Sequence, residues 1–385
     1  MSAHASPNII TDGLAFMYDT GSGKSYKGEP TVNLAGSIVK NFSSWNGLTG
    51  STEYYTTSTG GQGVKLITTA SGGVQWYSFS TIYNIQASTQ YTISATVKYI
   101  GGTPHPNLLY VRQYDGNGQT SESGKFTTAN ERDLGGGWKR IWRTFTTDAT
   151  TTHINLQGYE YTTGKTIHIQ DLQFEQKGHA TQFVNGTRSA TEGLIDRTNN
   201  TTIDISNASF DSDAQMTFDG TDDYINAAAF DMGTPTGITL ECFIRFNGSL
   251  DSADRKVMHY NKTGGTNAVF QLRKGDSINR LMYQAHNGSQ WYTMTDTDAV
   301  ESDTWAHFMI THSGTSAIMY KNGVQSATAT MGNLHWTNAN NLLIGYRANS
   351  EYWKGDISIM KIYDRALTSA EVLQNFNATK SRFGL

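Results

Sequence analysis

Trp305-Ala-His-Phe-Met-Ile-Thr-His312 runs on to Ala317-Ile-Met-Tyr-Lys-Asn-Gly-Val324, and this stretch decides the fold. Side chains alternate between the two faces of a strand, so a period of two sets one face on a core and the other in water. Lys321-Asn322-Gly323 stands where two such runs meet, and Asn-Gly accepts the positive φ of a tight hairpin turn. The same alternation recurs upstream in Ala214–Phe218, Thr239–Phe246 and Ala268–Leu272. Further back it returns in Gln90–Tyr99, Trp138–Phe145 and Thr166–Phe174. Turn chemistry separates these runs, as in Asp115-Gly-Asn-Gly118 and Gly135-Gly-Gly137. Short strands without intervening helices predict antiparallel β-sandwiches. One helix is expected near the end. Thr368-Ser-Ala-Glu371 has the capping-box spacing, and Val372, Leu373 and Phe376 supply its apolar face.

Composition agrees with an all-β protein. Of 385 residues only 16% are charged, while Gly (39), Tyr (20) and Trp (8) are plentiful, which excludes disorder, coiled coil and collagen. No repeat of 20–50 residues is evident. Net charge is −4, with 14 Lys+Arg against 12 Asp+Glu in residues 1–190 and 15 against 21 in 191–385. Neither half has a basic run, so no nucleic-acid partner is expected. The single cysteine, Cys242, excludes an intramolecular disulfide framework and a cysteine-rich zinc site; within a strand alternation it reads as a buried, inert thiol. No run of 18 apolar residues occurs, and Met1–Pro7 lacks a basic patch leading into an apolar stretch. A soluble chain is expected, with no secretion signal and no membrane insertion.

Residues from about 191 onward resemble the concanavalin A-like, laminin-G-type sandwich found in virion proteins of tailed bacteriophages. The residues carrying the resemblance are Phe218-Asp-Gly-Thr-Asp-Asp-Tyr-Ile225, Ile238-Thr-Leu-Glu-Cys-Phe-Ile244, Trp305-Ala-His-Phe308, Tyr320-Lys-Asn-Gly323, Ile344-Gly345 and Gly355–Thr368. Phe376–Gly384 looks like the ending of many such proteins. Gly13–Tyr26 resembles the opening strand of the same sandwich, although Phe218 stands about 190 residues further on. The expected layout is therefore a discontinuous sandwich of residues 13–35 and 191–385, with residues 36–190 inserted and residues 1–12 as a docking arm. The rival layout is three consecutive pieces with 13–35 merely an arm. The 36–190 unit resembles a carbohydrate-binding-module-type jelly roll, and Ile167–Glu175 with Ala180–Arg188 looks like a segment of phage fibre and tail proteins.

Candidate chemistry is sparse. Concanavalin A-like glucanases carry Glu-x-Asp-x-x-Glu on one strand, whereas Glu131-Arg-Asp133 and Glu301-Ser-Asp303 each lack the third carboxylate and read as turn residues. No catalytic residue and no enzyme activity are expected. Asp219, Asp222 and Asp223 suit either an oxygen-rich calcium loop or, preferably, a turn whose Asp side chains cap their own backbone. By the jelly-roll resemblance Asp171 occupies a place where some related jelly rolls carry a structural calcium ligand; no cofactor is otherwise expected. Histidines are scattered, with His307 and His312 on opposite faces of one strand. Among the aromatics, Trp138, Trp142 and Trp305 are expected in the core. Trp76-Tyr77, Tyr110 and Tyr114 are weighed as sugar-stacking residues, and Trp291, Tyr292, Trp336, Tyr352 and Trp353 form the preferred glycan-binding cluster. The resemblance implies a non-enzymatic structural protein on the virion surface, as tail fibre, adhesin or capsid decoration. Its implied partners are other virion proteins, further copies of itself (trimers by analogy) and host-surface glycans. A purely architectural capsid-stabilising or connector protein, and a polysaccharide depolymerase, are the alternatives.

Overall fold

The computed structural model describes residues 8–35, 43–45, 50–68, 75–102, 108–123, 130–160, 163–210, 216–260, 269–275, 279–336, 340–347 and 351–385. Of these, residues 8–28, 190–210 and 216–385 form one compact unit, and residues 29–189 form another that interrupts it in sequence.

The first unit is a concanavalin A-like sandwich of two antiparallel sheets. One sheet runs in the order Ser209–Phe210, Met216–Asp219, Lys354–Tyr363, Gly237–Phe246, Ala306–Ser313, Ser316–Lys321, Val324–Thr330, and Leu14–Asp19 also pairs with Lys354–Tyr363. The other runs Ile203–Asp204, Ile225–Phe230, Asn340–Ile344, Arg255–Tyr260, Phe270–Lys274, Arg280–His286, Trp291–Ala299. Alternation does what the sequence predicts. Leu240, Cys242, Phe308 and Ile310 point inward from the first sheet to meet Ile225, Met258, Leu272 and Tyr283 from the second. Phe16 and Tyr18 of the opening strand lie in this same core. Asn322 and Gly323 adopt φ of 53° and 78° between paired strands, as the hairpin requires.

Two glycines of the quoted motifs owe their identity to close approach. A Cβ on Gly345 would stand 2.5 Å from the Phe218 ring, and one on Gly355 would stand 2.0 Å from the Arg245 carbonyl; both residues also have positive φ.

The outer face of the first sheet carries Met309, Tyr320, Tyr363, Phe243 and Ile359, covered by the helix Ser369–Thr379. The Thr368–Glu371 capping box is formed. The helix buries Val372, Asn375 and Phe376, while Leu373 is 47% exposed. Leu373 is thus corrected out of the apolar face: one residue past Val372 is a turn of about 100°, which rotates it toward solvent. Ile10 packs on this cluster and its N–H donates to Asn375 Oδ1 at 2.8 Å, so residues 8–12 lie along the helix; residues 1–7 of the expected arm lie outside the described residues. His307 faces the helix and His312 faces Tyr283 in the opposite sheet, 2.9 Å from its hydroxyl.

The second unit is a jelly-roll sandwich. Its six-stranded sheet runs Glu131–Gly135, Trp138–Thr146, Gln90–Ile100, Thr166–Glu175, Gln62–Thr68, Gly50–Thr56. Its five-stranded sheet runs Ser43–Trp45, Gln75–Tyr83, His153–Glu160, Tyr110–Asp115, Gly118–Ser123. Ile93, Ala95, Val97, Ile167 and Ile169 pack against Ile82, Val111, Ile154 and Leu156. Trp138, Trp142 and Trp305 are only partly buried, contrary to expectation. Trp138 stands edge-on to His168 and Trp305 packs under Phe383, both outside the two main inter-sheet cores.

Candidate carbohydrate-binding faces

In the five-stranded sheet, His153 is the direct cross-strand neighbour of Tyr83 on one side and Tyr114 on the other. Directly opposed residues share a face, so the three rings stand in a row. Ring centroids are 5.4 Å apart for Tyr83–His153 and 4.9 Å for Tyr114–His153, with planes within 28° and 11°. His153 and Tyr114 thus buttress Tyr83, which is 67% exposed and stacked by His153 on one ring face. Two residues along, on the same face, Asn155 lies between Thr81 and Arg112. Its buried Oδ1 meets no donor. Arg112 donates to Glu122 at 3.1 Å, and the buried Tyr110 donates to Gln157 at 3.1 Å. An exposed ring beside amide, guanidinium and carboxylate groups offers a sugar an apolar contact flanked by partners for its hydroxyls. The side chains of Trp76 and Tyr77 lie outside the described residues.

The five aromatics preferred from sequence do not form one platform. Trp353 is fully buried, edge-on to Phe246 at 5.7 Å, and belongs to the core. Trp291 and Tyr292 are adjacent on a strand and therefore face opposite ways. Trp291 pairs with His286 on the outer side, its ring 5.1 Å from the imidazole. Tyr292 packs against the core beside Gly332, where a Cβ would stand 2.5 Å from its ring. Trp336 also packs on the core and donates from Nε1 to the Pro235 carbonyl at 3.0 Å. It lines a cleft of about 260 Å³ with Thr236, His312, Asn333 and Leu334. Tyr352 lies in another group. It stacks on Tyr346 at 4.6 Å, which in turn contacts Tyr224 at 4.9 Å. The sequence alone does not mark Tyr83, His153, Tyr224 and Tyr346, because only strand register brings these rings together.

The carboxylates serve the backbone. Asp133 accepts from Gly135 N–H at 2.7 Å and Asp303 from Gly248 N–H at 2.9 Å, while Glu131 pairs with Lys139. Asp219, Asp222 and Asp223 bring carboxylate oxygens within 4.8 Å of one another. Asp223 accepts from the N–H groups of Ser209 and Asp219, both at 2.7 Å, and Asp219 from Thr221 N–H at 2.7 Å. This is turn chemistry.

The donors around Asp171 do not fit calcium. Asp171 has φ 51° in a bulge, and its Oδ1 accepts from the hydroxyls of Thr57 at 3.1 Å and Thr59 at 2.6 Å. Its carbonyl accepts from the fully buried guanidinium of Arg140 at 2.7 Å. Calcium takes about six to eight oxygens, usually with several carboxylates, and a buried guanidinium opposes a dication there.

Among known proteins, a profile of the "Concanavalin A-like lectin/glucanases superfamily" matches residues 219–373. No curated protein matches the chain. Similar solved structures include the botulinum neurotoxin serotype G binding domain (14% identity, 48% of each chain, TM-score 0.39). Trypanosoma rangeli sialidase is another (13% identity, 49% of this chain and 31% of that one, TM-score 0.39). A third is domain 4 of an extracellular arabinanase from Geobacillus stearothermophilus in complex with arabinotriose (14% identity, 49% and 92%, TM-score 0.38). The matched region spans about half the length of the neurotoxin binding domains. Likenesses with such low TM-scores carry no functional argument.

Proposed function

We propose that this is a non-enzymatic structural protein of a tailed-phage virion, displayed on the tail or capsid surface, that makes weak multivalent contacts with host glycans. The observation that carries the glycan half is Tyr83, two-thirds exposed and braced by His153 and Tyr114. Support for a non-enzymatic role comes from Asp133 and Asp303, which are engaged with backbone N–H groups. Weak single sites suffice when many copies engage one surface, because each later contact forms at high effective concentration. The virion half rests on the motifs quoted above from residues 167–188 and 218–384.

Glycan-array binding by the purified chain, with and without Tyr83→Ala, tests the glycan half. Wild type is expected to bind a restricted set of glycans, and the variant to lose tenfold or more, about 1.4 kcal/mol. No glycan-dependent binding by the chain or by particles carrying it removes this half. Imaging such particles tests the other. A purely architectural role is favoured by Val324 and Leu373, apolar and 70% and 47% exposed. That reading predicts particles that fall apart without this protein yet show no glycan dependence.

A further inference from the structure

At one margin of the concanavalin A-like sandwich, the edge strands of its two sheets, Trp291–Ala299 and Val324–Thr330, run close together. Thr297 joins them, donating from Oγ1 to the Ser326 carbonyl at 2.9 Å. Lys321, at the end of the neighbouring strand Ser316–Lys321, gives its ammonium to the Ala299 carbonyl at 3.1 Å. Around Thr297 the ladder with Arg280–His286 breaks. Thr295 pairs with Met282 and Ala299 with Arg280, so residues 296–298 oppose Leu281 alone. A bulge re-aims side chains. Here it buries Asp296 to 1% exposure, with neither carboxylate oxygen meeting a hydrogen-bond partner. Ser326 Oγ, on the facing edge strand, is likewise buried and unpartnered.

A charged carboxylate withdrawn from water is costly unless its charge is compensated. The Lys321 ammonium beside this margin is committed to a carbonyl. Among the described side chains of the two edge strands, three buried oxygens lack a hydrogen-bond partner: both from Asp296 and the Ser326 hydroxyl. Hard cations prefer such an all-oxygen set, and softer metals would demand imidazole or thiolate. One negative charge is neutralised by one positive charge.

We propose that Asp296 and Ser326 hold a hard, oxygen-liganded cation of sodium type, which ties the two sheets together along this margin. The site shares no residue with the Asp219–Asp222–Asp223 turn or with the stacked tyrosines, so its failure would leave the glycan reading intact.

Calorimetry of the full chain, cleared of divalent ions with chelator and held in choline chloride, tests this. Replacing choline by sodium at constant ionic strength is expected to raise Tm saturably by at least about 2 °C, with a parallel calcium chloride series to identify the ion. Asp296→Asn should abolish the rise for either ion while its cation-free Tm equals or exceeds that of wild type. Ser326→Ala should need several-fold more cation for half the effect. Asp222→Asn, in the exposed turn, should keep the full response. Absence of a rise with both ions, or a rise that persists in Asp296→Asn, overturns the site. If Asp296→Asn fails to fold, an unchanged half-saturation in Ser326→Ala does so instead.

Discussion

Lys361 and Glu241 are direct cross-strand partners whose charged groups meet at 2.7 Å, with both side chains wholly buried beneath the carboxyl-terminal helix. Asn375 of that helix donates to the second carboxylate oxygen at 2.8 Å and to the Tyr363 hydroxyl at 2.8 Å. Removing one partner strands the other charge without water. Lys361→Met is therefore expected to cost about 3–5 kcal/mol, whereas the double replacement Lys361→Met/Glu241→Leu should recover much of that loss. Denaturant unfolding of the three variants measures it. Equal stability of Lys361→Met and wild type would show that the pair is not charged.

Acid should loosen this unit in two stages. Burial pushes the His307 imidazole below its ordinary 6.5 despite Glu241 at 3.4 Å. For Glu241, burial works upward, but Lys361 and then His307 overrule it and hold the carboxyl at about 2. Both folded values lie below the unfolded ones, so both contributions are full at higher pH and fade as pH falls. The histidine begins to act below about 6.5 and the glutamate below about 4.5. Stability measured against pH should decline from about 6.5 downward in wild type and decline less steeply between about 6.5 and 4.5 in His307→Leu, where buried His312, also held below its ordinary value, supplies the remaining slope. Superimposable profiles would refute the assignment to His307.

Gly355 offers a sharper test of the backbone. Its φ is 137°, and an added methyl would collide with the Arg245 carbonyl, a main-chain atom that cannot swing aside. Gly355→Ala is expected to lose about 3 kcal/mol or more, while Gly116→Ala, with nothing within 4 Å, should change stability by less than about 1 kcal/mol. Thermal melts of both variants decide between steric collision and a general intolerance of glycine replacement.

Much of the architecture was legible because period-two alternation, Asn322-Gly323 and the Thr368–Glu371 box act over a few residues. Leu373 shows the limit of such reading, since an apolar residue one step around a helix points elsewhere. The preferred aromatic cluster failed for a reason already in the sequence: Trp291 and Tyr292 are neighbours on a strand. Trp353 needed more, namely the knowledge that Phe246 lies against it. The Tyr83–His153–Tyr114 row and the bulge at Asp296 depend on which strand pairs with which, and in what register. Periodicity within a strand carries no information about its partner.

The hydroxyl of Tyr18 donates to the Ile357 carbonyl, 339 positions downstream. A ribosome emits Leu14–Asp19 long before its docking edge exists, and residues 29–189 emerge complete in the interval. Phe16 and Tyr18 must therefore wait in water, or in the care of a chaperone, until Lys354–Tyr363 appears. Nascent chains halted before that point carry an orphan ribbon with an unsatisfied edge, the form most prone to pair with a neighbour on the same polysome.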